Sequence, residues 1–123
     1  MPHEITCSQF FDGDVLHGAR RIVVADDGFV VAVEEHSGAT EYQIVCPGFV
    51  DVQMNGFDDV HVASASLEEL IQLDQMLLSR GTTSWLGTIV TAPLEKMTTS
   101  LSLLHDSYVS GHIPGFAGVH VEG

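Results

Sequence analysis

From residue 47 onward the sequence switches between two periodicities, and that alternation limits the fold more than any other feature. After the Pro47-Gly48 breaker, residues 49–54, 82–90 and 116–122 are short runs rich in Val, Ile, Thr and aromatic residues, the composition of strands. Between them lie two stretches of helical length. A hairpin needs only a few residues to turn, whereas joining parallel strands takes a crossover of a dozen or more. The pattern therefore predicts βαβαβ with parallel strands and right-handed crossovers.

The first helix is predicted over 67–80, with Leu67, Leu70, Ile71, Leu77 and Leu78 forming its apolar face. Ser66 followed by Glu69 fits a capping box, and Gly81 stands where a helix end needs a left-handed residue. A second helix begins near 91–93, with Leu94, Met97, Leu101, Leu104 and Tyr108 on one stripe, and 111–115 is the loop that closes it.

The region before residue 47 has a different rhythm. Strands are predicted at 5–10, 21–25, 29–33 and 41–46, punctuated by Phe11-Asp12-Gly13-Asp14 and Asp26-Asp27-Gly28, whose Asp and Gly residues suit turns. The β-branched runs on either side of Asp26-Asp27-Gly28 make the clearest hairpin. Residues 1–46 are read as a small antiparallel β unit, and 47–123 as a separate α/β region.

Charge narrows the partners. Four basic against 17 acidic residues give a net charge of −13, which repels nucleic-acid phosphates and anionic membrane surfaces. There is no basic, apolar leader pattern at the start and no apolar run of spanning length. Cys7 and Cys46 have no CxxC spacing and are read as reduced, buried thiols in a soluble cytoplasmic protein.

Chemistry concentrates at the strand ends. By the two-residue period of a strand, Asp51, Gln53 and Asn55 share one face and Val50, Val52 and Met54 the other; His120 and Glu122 likewise share a face opposite Val119 and Val121. Glu122 is a carboxylate able to bind a divalent cation, while the amides Gln53 and Asn55 suit orientation of water or substrate. Amides that only tie down a loop, and a glutamate that only caps a strand, fit the same spacing. His120 is read as a neighbour of the site or a packing residue. His3, His17, His36, His61, His105 and His112 show no ligand spacing and read as surface or loop residues. Trp85 reads as core and Asp58-Asp59 as a solvated loop.

Three segments taken together carry a family resemblance: Pro47-Gly48-Phe49-Val50-Asp51-Val52-Gln53-Met54-Asn55-Gly56, Gly81-Thr82-Thr83-Ser84 and Gly118-Val119-His120-Val121-Glu122-Gly123. Their order and spacing resemble those of N-acetylglucosamine-6-phosphate deacetylases of the amidohydrolase superfamily. Gln-x-Asn-Gly in place of paired histidines on the first strand, joined to His-x-Glu-Gly on the third, sets this group apart from other amidohydrolases. The resemblance implies the first βαβαβ portion of a (β/α)8 TIM-type barrel, incomplete here, with residues 1–46 contributing to a small β-sandwich.

It further implies one divalent metal ion, Zn²⁺ or Fe²⁺ ahead of Mn²⁺ or Co²⁺, with Glu122 as ligand and Gln53, Asn55 and His120 as neighbours. No catalytic residue is matched within the 123 residues. The implied activity is hydrolysis of N-acetylglucosamine 6-phosphate to glucosamine 6-phosphate and acetate, by a whole protein expected to be a cytoplasmic homodimer. The chain itself is expected to be an inactive N-terminal fragment. Competing readings are another amidohydrolase, such as a deaminase or cyclic-amide hydrolase, and a non-catalytic βαβαβ binding module. Three of eight strands leave an open edge, which predicts poor solubility or association of the isolated chain.

Overall fold

A computed structural model describes residues 1–122; Gly123, the last residue of the third motif, lies outside them. The contacts divide the chain into two units, Met1–Pro47 and the residues from Gly48 on.

The first unit is a single sheet. Strands β1 (His3–Phe11), β2 (Leu16–His17), β3 (Arg20–Val24) and β4 (Val30–Glu35) run in the order β2-β1-β3-β4, all antiparallel. The predicted hairpin is β3–β4, in which Arg20 pairs with Glu35 and Val24 with Val30. Its turn closes through Gly28 N–H donating to Ala25 C=O at 2.9 Å, with Gly28 at φ +86°, a left-handed conformation that glycine adopts without Cβ strain. The last strand, β5 (Tyr42–Val45), departs from the all-antiparallel expectation. It pairs parallel to β1, Cys7 opposite Tyr42 and Phe10 opposite Val45. Cys7 also pairs with Arg20 of β3, so β5 occupies the other edge of β1. To reach that edge the chain crosses from β4 past β3 and β1 instead of turning back on itself. Cys7 is buried, but Cys46 is exposed, contrary to expectation, because it follows the last ladder residue of β5; both are free thiols.

The second unit holds the βαβαβ pattern. β6 (Phe49–Met54) leads through a small hairpin, β7 (Gly56–Phe57) and β8 (Val60–His61), and a 3-10 turn at Val62–Ser64 into α1 (Leu67–Ser79). β9 (Thr82–Ile89), α2 (Leu94–Val109) and β10 (Phe116–Val121) follow. The sheet order is β10-β9-β6, all parallel. The capping box is present in full: Glu69 N–H donates to Ser66 Oγ at 3.3 Å and Ser66 N–H to the Glu69 carboxylate at 2.7 Å. Glu69 is held below the usual carboxylate range by those Ser66 hydrogen bonds. Gly81 at φ +90° ends the helix.

Both helix faces are rotated from the stripes read in the sequence. In α1, Leu70, Leu73, Asp74 and Leu77 are buried while Leu78 is exposed. In α2 the buried residues are Ser100, Leu104 and Ser107, and Leu94, Leu101 and Tyr108 are exposed. Two of the three buried positions of α2 are serines, which a search for apolar residues alone passes over.

The core of this unit gathers Met54, Val60, Val62, Leu70, Leu73, Leu77, Trp85, Ile89, Leu104 and Phe116. Trp85, at 0% exposure, stacks on Phe116 with centroids 4.7 Å apart. Its Nε1–H donates to Asp74 Oδ1 at 2.8 Å, the partner that a buried indole requires. Both helices supply residues to this one core, so both cover the same face of the sheet. The opposite face leaves Val50 and Val52 64% and 59% exposed.

Candidate functional site

The strand ends of β6 and β10, on either side of β9, carry the residues singled out by pattern. Register decides which way they point. Asp51 pairs with Trp85 and Met54 with Gly87, so Val52 and Gln53 together stand opposite Leu86 alone. This is a β-bulge, which adds one residue and breaks the two-residue alternation. Asp51 and Met54 consequently share the helix-covered side with Trp85 and Gly87, and Met54 is 7% exposed. The expectation that Asp51, Gln53 and Asn55 share one face, with Val50, Val52 and Met54 on the other, is thereby corrected.

A bulge takes a peptide unit out of the ladder, and its polar groups need other partners. Here the unit is Val52–Gln53, and side chains take both of its groups. Gln53 N–H donates to Asp51 Oδ1 at 2.9 Å, and Val52 C=O accepts from His120 Nδ1 at 2.8 Å. A carbonyl only accepts, so Nδ1 must carry the proton. His120 sits on β10 opposite Thr88 of the middle strand, so its ring reaches across β9 to make this bond.

A second bridge crosses in the other direction, where Gln53 Nε2 donates to Glu122 Oε1 at 2.6 Å. Glu122 N–H continues the ladder by donating to Ile89 C=O at 3.0 Å. Beneath these crossings Thr88 is 1% exposed, and its hydroxyl has no hydrogen-bond partner among the described residues.

The structure thus brings Gln53, His120 and Glu122 together. Asn55 turns back toward its own strand, Nδ2 lying 3.4 Å from Gln53 C=O, a long and weak contact. Within the first unit His17 pairs with Asp12 at 2.7 Å, and His36 Nε2 lies 3.0 Å from Ala39 C=O. Asp58 and Asp59 form the exposed β7–β8 turn, with Asp58 at φ 56°. Asp51 was not singled out for the site by pattern. The signal available was its position two residues before Gln53, the spacing at which an aspartate side chain accepts a backbone N–H.

Of Gln53, His120 and Glu122, only Glu122 carries a carboxylate. Gln53 holds one of its oxygens with a neutral N–H, and a second carboxylate oxygen remains for another partner. A carboxylate oriented by an amide suits a divalent cation, but among the described residues no group of three or more His, Cys, Asp or Glu gathers to hold one. The residues present fit one ligand of a metal site and not a complete set. No helix among the described residues is long and apolar enough to cross a membrane.

No protein-family model matches the chain. Curated proteins and solved structures do. The N-acetylglucosamine-6-phosphate deacetylase of Bos taurus is 37% identical over 83 residues, 65% of this chain and 20% of that protein. A crystal structure of N-acetyl-D-glucosamine-6-phosphate deacetylase from Mycobacterium smegmatis matches 98% of this chain with a TM-score of 0.82 at 25% identity, 35% of that chain being covered. The corresponding Thermotoga maritima structure has a TM-score of 0.84 at 24% identity, over 98% of this chain and 32% of its own. The resemblance read from the three motifs therefore holds, and the chain spans about one fifth of the length of the curated relatives it matches.

Proposed function

We propose that this chain is part of an N-acetylglucosamine-6-phosphate deacetylase, an amidohydrolase that cleaves the acetamide of the sugar phosphate to release acetate. The observation that carries the reading is the Gln53–Glu122 hydrogen bond at 2.6 Å. It joins the first and third of the motifs that resemble the deacetylases, through residues 69 apart in the sequence, at the C-terminal ends of two parallel strands.

That location is where a (β/α)8 barrel carries its chemistry. The sheet supports the barrel reading as well. Strands follow one another in the order in which they occur, and both helices lie on one face, as in a singly wound barrel; a doubly wound sheet carries helices on both faces. Val50 and Val52 then belong to the barrel interior, with residues 1–46 part of a small β-sandwich.

In this reading Glu122 is a ligand of one divalent ion, Zn²⁺ or Fe²⁺ ahead of Mn²⁺ or Co²⁺. Such an ion, when bound, acidifies a water and polarises the substrate carbonyl. Gln53 orients the Glu122 carboxylate by donating to one oxygen, and the Glu122 backbone is fixed by its bond to Ile89. Further ligands, the proton-transferring carboxylate and the phosphate-binding groups are assigned to parts of the deacetylase that these 123 residues do not include. A cytoplasmic, homodimeric whole protein belongs to the same reading.

The test is acetate release from N-acetylglucosamine 6-phosphate by the protein that contains this chain, with and without a chelator. Activity that is lost on chelation, restored by Zn²⁺ or Fe²⁺, and reduced at least a hundredfold by Glu122→Gln bears the reading out. Full activity and metal content in Glu122→Gln would overturn the ligand assignment. No acetate release under any metal would overturn the substrate.

A further inference from the structure

Four side chains at the strand ends act as two pairs, and the pairs are linked through one peptide unit. Asp51 and His120 hold the two ends of the Val52–Gln53 peptide, at 2.9 Å and 2.8 Å, and that peptide carries the side chain that meets Glu122 at 2.6 Å. We propose that Asp51 and His120 are positioning residues that lock the β6 bulge and so aim Gln53 at Glu122. The proposal rests on the deacetylase reading for its chemistry but not for its geometry.

Three observations carry it. The bulge releases one N–H and one C=O, and each finds a single side-chain partner, so neither can be removed without leaving a backbone group unpaired. His120 reaches Val52 across the full width of β9, which requires a residue at position 88 small enough to pass beneath it; Thr88 is there, covered to 1% exposure. The carbonyl, as acceptor, requires a proton on His120 Nδ1. The hydrogen bond to the bulge thus requires the nitrogen nearer the backbone and no other.

That last point gives a test that a merely structural role does not pass. Asparagine places an N–H donor two bonds from Cβ, as His Nδ1 does, whereas glutamine places it one bond further out. In the protein containing this chain, His120→Asn should retain bound divalent metal and kcat/KM within about threefold of wild type. His120→Gln and His120→Ala should each lose about 10–100-fold in metal affinity or activity, the range for groups that orient a metal's ligands. For the other clamp, Asp51→Asn, which keeps an acceptor oxygen, should be tolerated and Asp51→Ala should not.

Metal content by elemental analysis is read beside turnover, with Glu122→Gln as reference. If His120→Asn falls as far as His120→Ala, the histidine acts through Nε2 and the clamp is wrong. If all His120 and Asp51 variants match wild type while Glu122→Gln is dead, the positioning proposal falls and the deacetylase reading stands. If Glu122→Gln keeps its metal and activity, the deacetylase site itself is misassigned. Should the alanine variants fail to fold, the contrast of His120→Asn with His120→Gln decides alone.

Discussion

The two units use sequence in opposite ways. From Gly48 on, two helices cover one face of a parallel sheet, and a contiguous core forms around Trp85, Leu70, Leu73, Ile89 and Leu104, all at or below 2% exposure. In Met1–Pro47 a single five-stranded sheet buries only Cys7 and Ile22 among its apolar side chains, while Phe29, Val31, Tyr42 and Ile44 stay exposed. Sheets need a second layer to bury a face. The first unit is therefore held mainly by its ladder; exposed pairs such as Arg21 with Glu4 and Glu34, at 2.9 and 2.6 Å, add little. Regular backbone pairing and a packed interior are separable achievements, and this chain displays one of each.

The comparison breaks most sharply at Trp85. Trp85→Ala removes a fully buried aromatic from the second unit and should cost about 3–5 kcal/mol. Amide hydrogen exchange across α1, β9 and β10 is the measurement; unchanged protection there would mean that the core is not organised around this ring. Next in size is Asp74→Ala. It removes the acceptor of Trp85 Nε1–H at 2.8 Å and of Gly115 N–H at 3.5 Å, and a buried donor left without a partner costs about 1–3 kcal/mol. A denaturant midpoint equal to wild type would show that the indole finds another acceptor.

Thr88 gives the opposite sign. Its hydroxyl is buried without a partner among the described residues, so Thr88→Val should raise stability by about 1 kcal/mol or leave it unchanged. A clear loss in the same denaturant measurement would mean that a bound water or ligand occupies that hydroxyl.

What was legible in the sequence follows the same division. Element type was legible for the longer strands and both helices, because capping residues, turn residues and periodicity act locally: the Ser66–Glu69 box and the Gly28 turn are both as read. The two-residue strands β2, β7 and β8 and the 3-10 turn at Val62–Ser64 are too short to show a period and were not read. Facing was less legible. The buried side of α2 includes Ser100 and Ser107, polar residues that an apolar pattern does not mark. The parallel pairing of β5 depends on which edge of β1 is open, a property of the assembled sheet. At the candidate site the motifs named Gln53, His120 and Glu122, but the bulge that unites them is a register event between β6 and β9. A one-residue slip reverses every facing that follows it, and no single strand encodes it alone. Asp74, an acid on a buried helix face, was hidden for a similar reason: its partner Trp85 lies on the next strand.

The smallest effect is in the first unit, at the turn that follows β1. After β1 the chain turns at Asp12, whose carboxylate accepts from Asp14 N–H and Val15 N–H, both at 2.8 Å, and meets His17 Nε2 at 2.7 Å. These partners, the His17 hydrogen bond first and then the two backbone N–H groups, hold the Asp12 carboxyl far below its ordinary value of 3.8. A folded-state value below the unfolded one means that the folded turn binds its proton less readily than the open turn does. The contribution is therefore complete above the ordinary aspartate value and is lost as pH falls from there toward the folded one. Because Asp12 is solvent-exposed, the effect should be confined to the β1–β2 turn. An NMR titration of the Asp12 carboxyl carbon should show a midpoint below 3.8, and His17→Phe should move it back up, since the largest single cause is removed. An unmoved midpoint in that variant would assign the shift to the two backbone N–H groups, and the turn would then be held by the same backbone economy as the rest of its sheet.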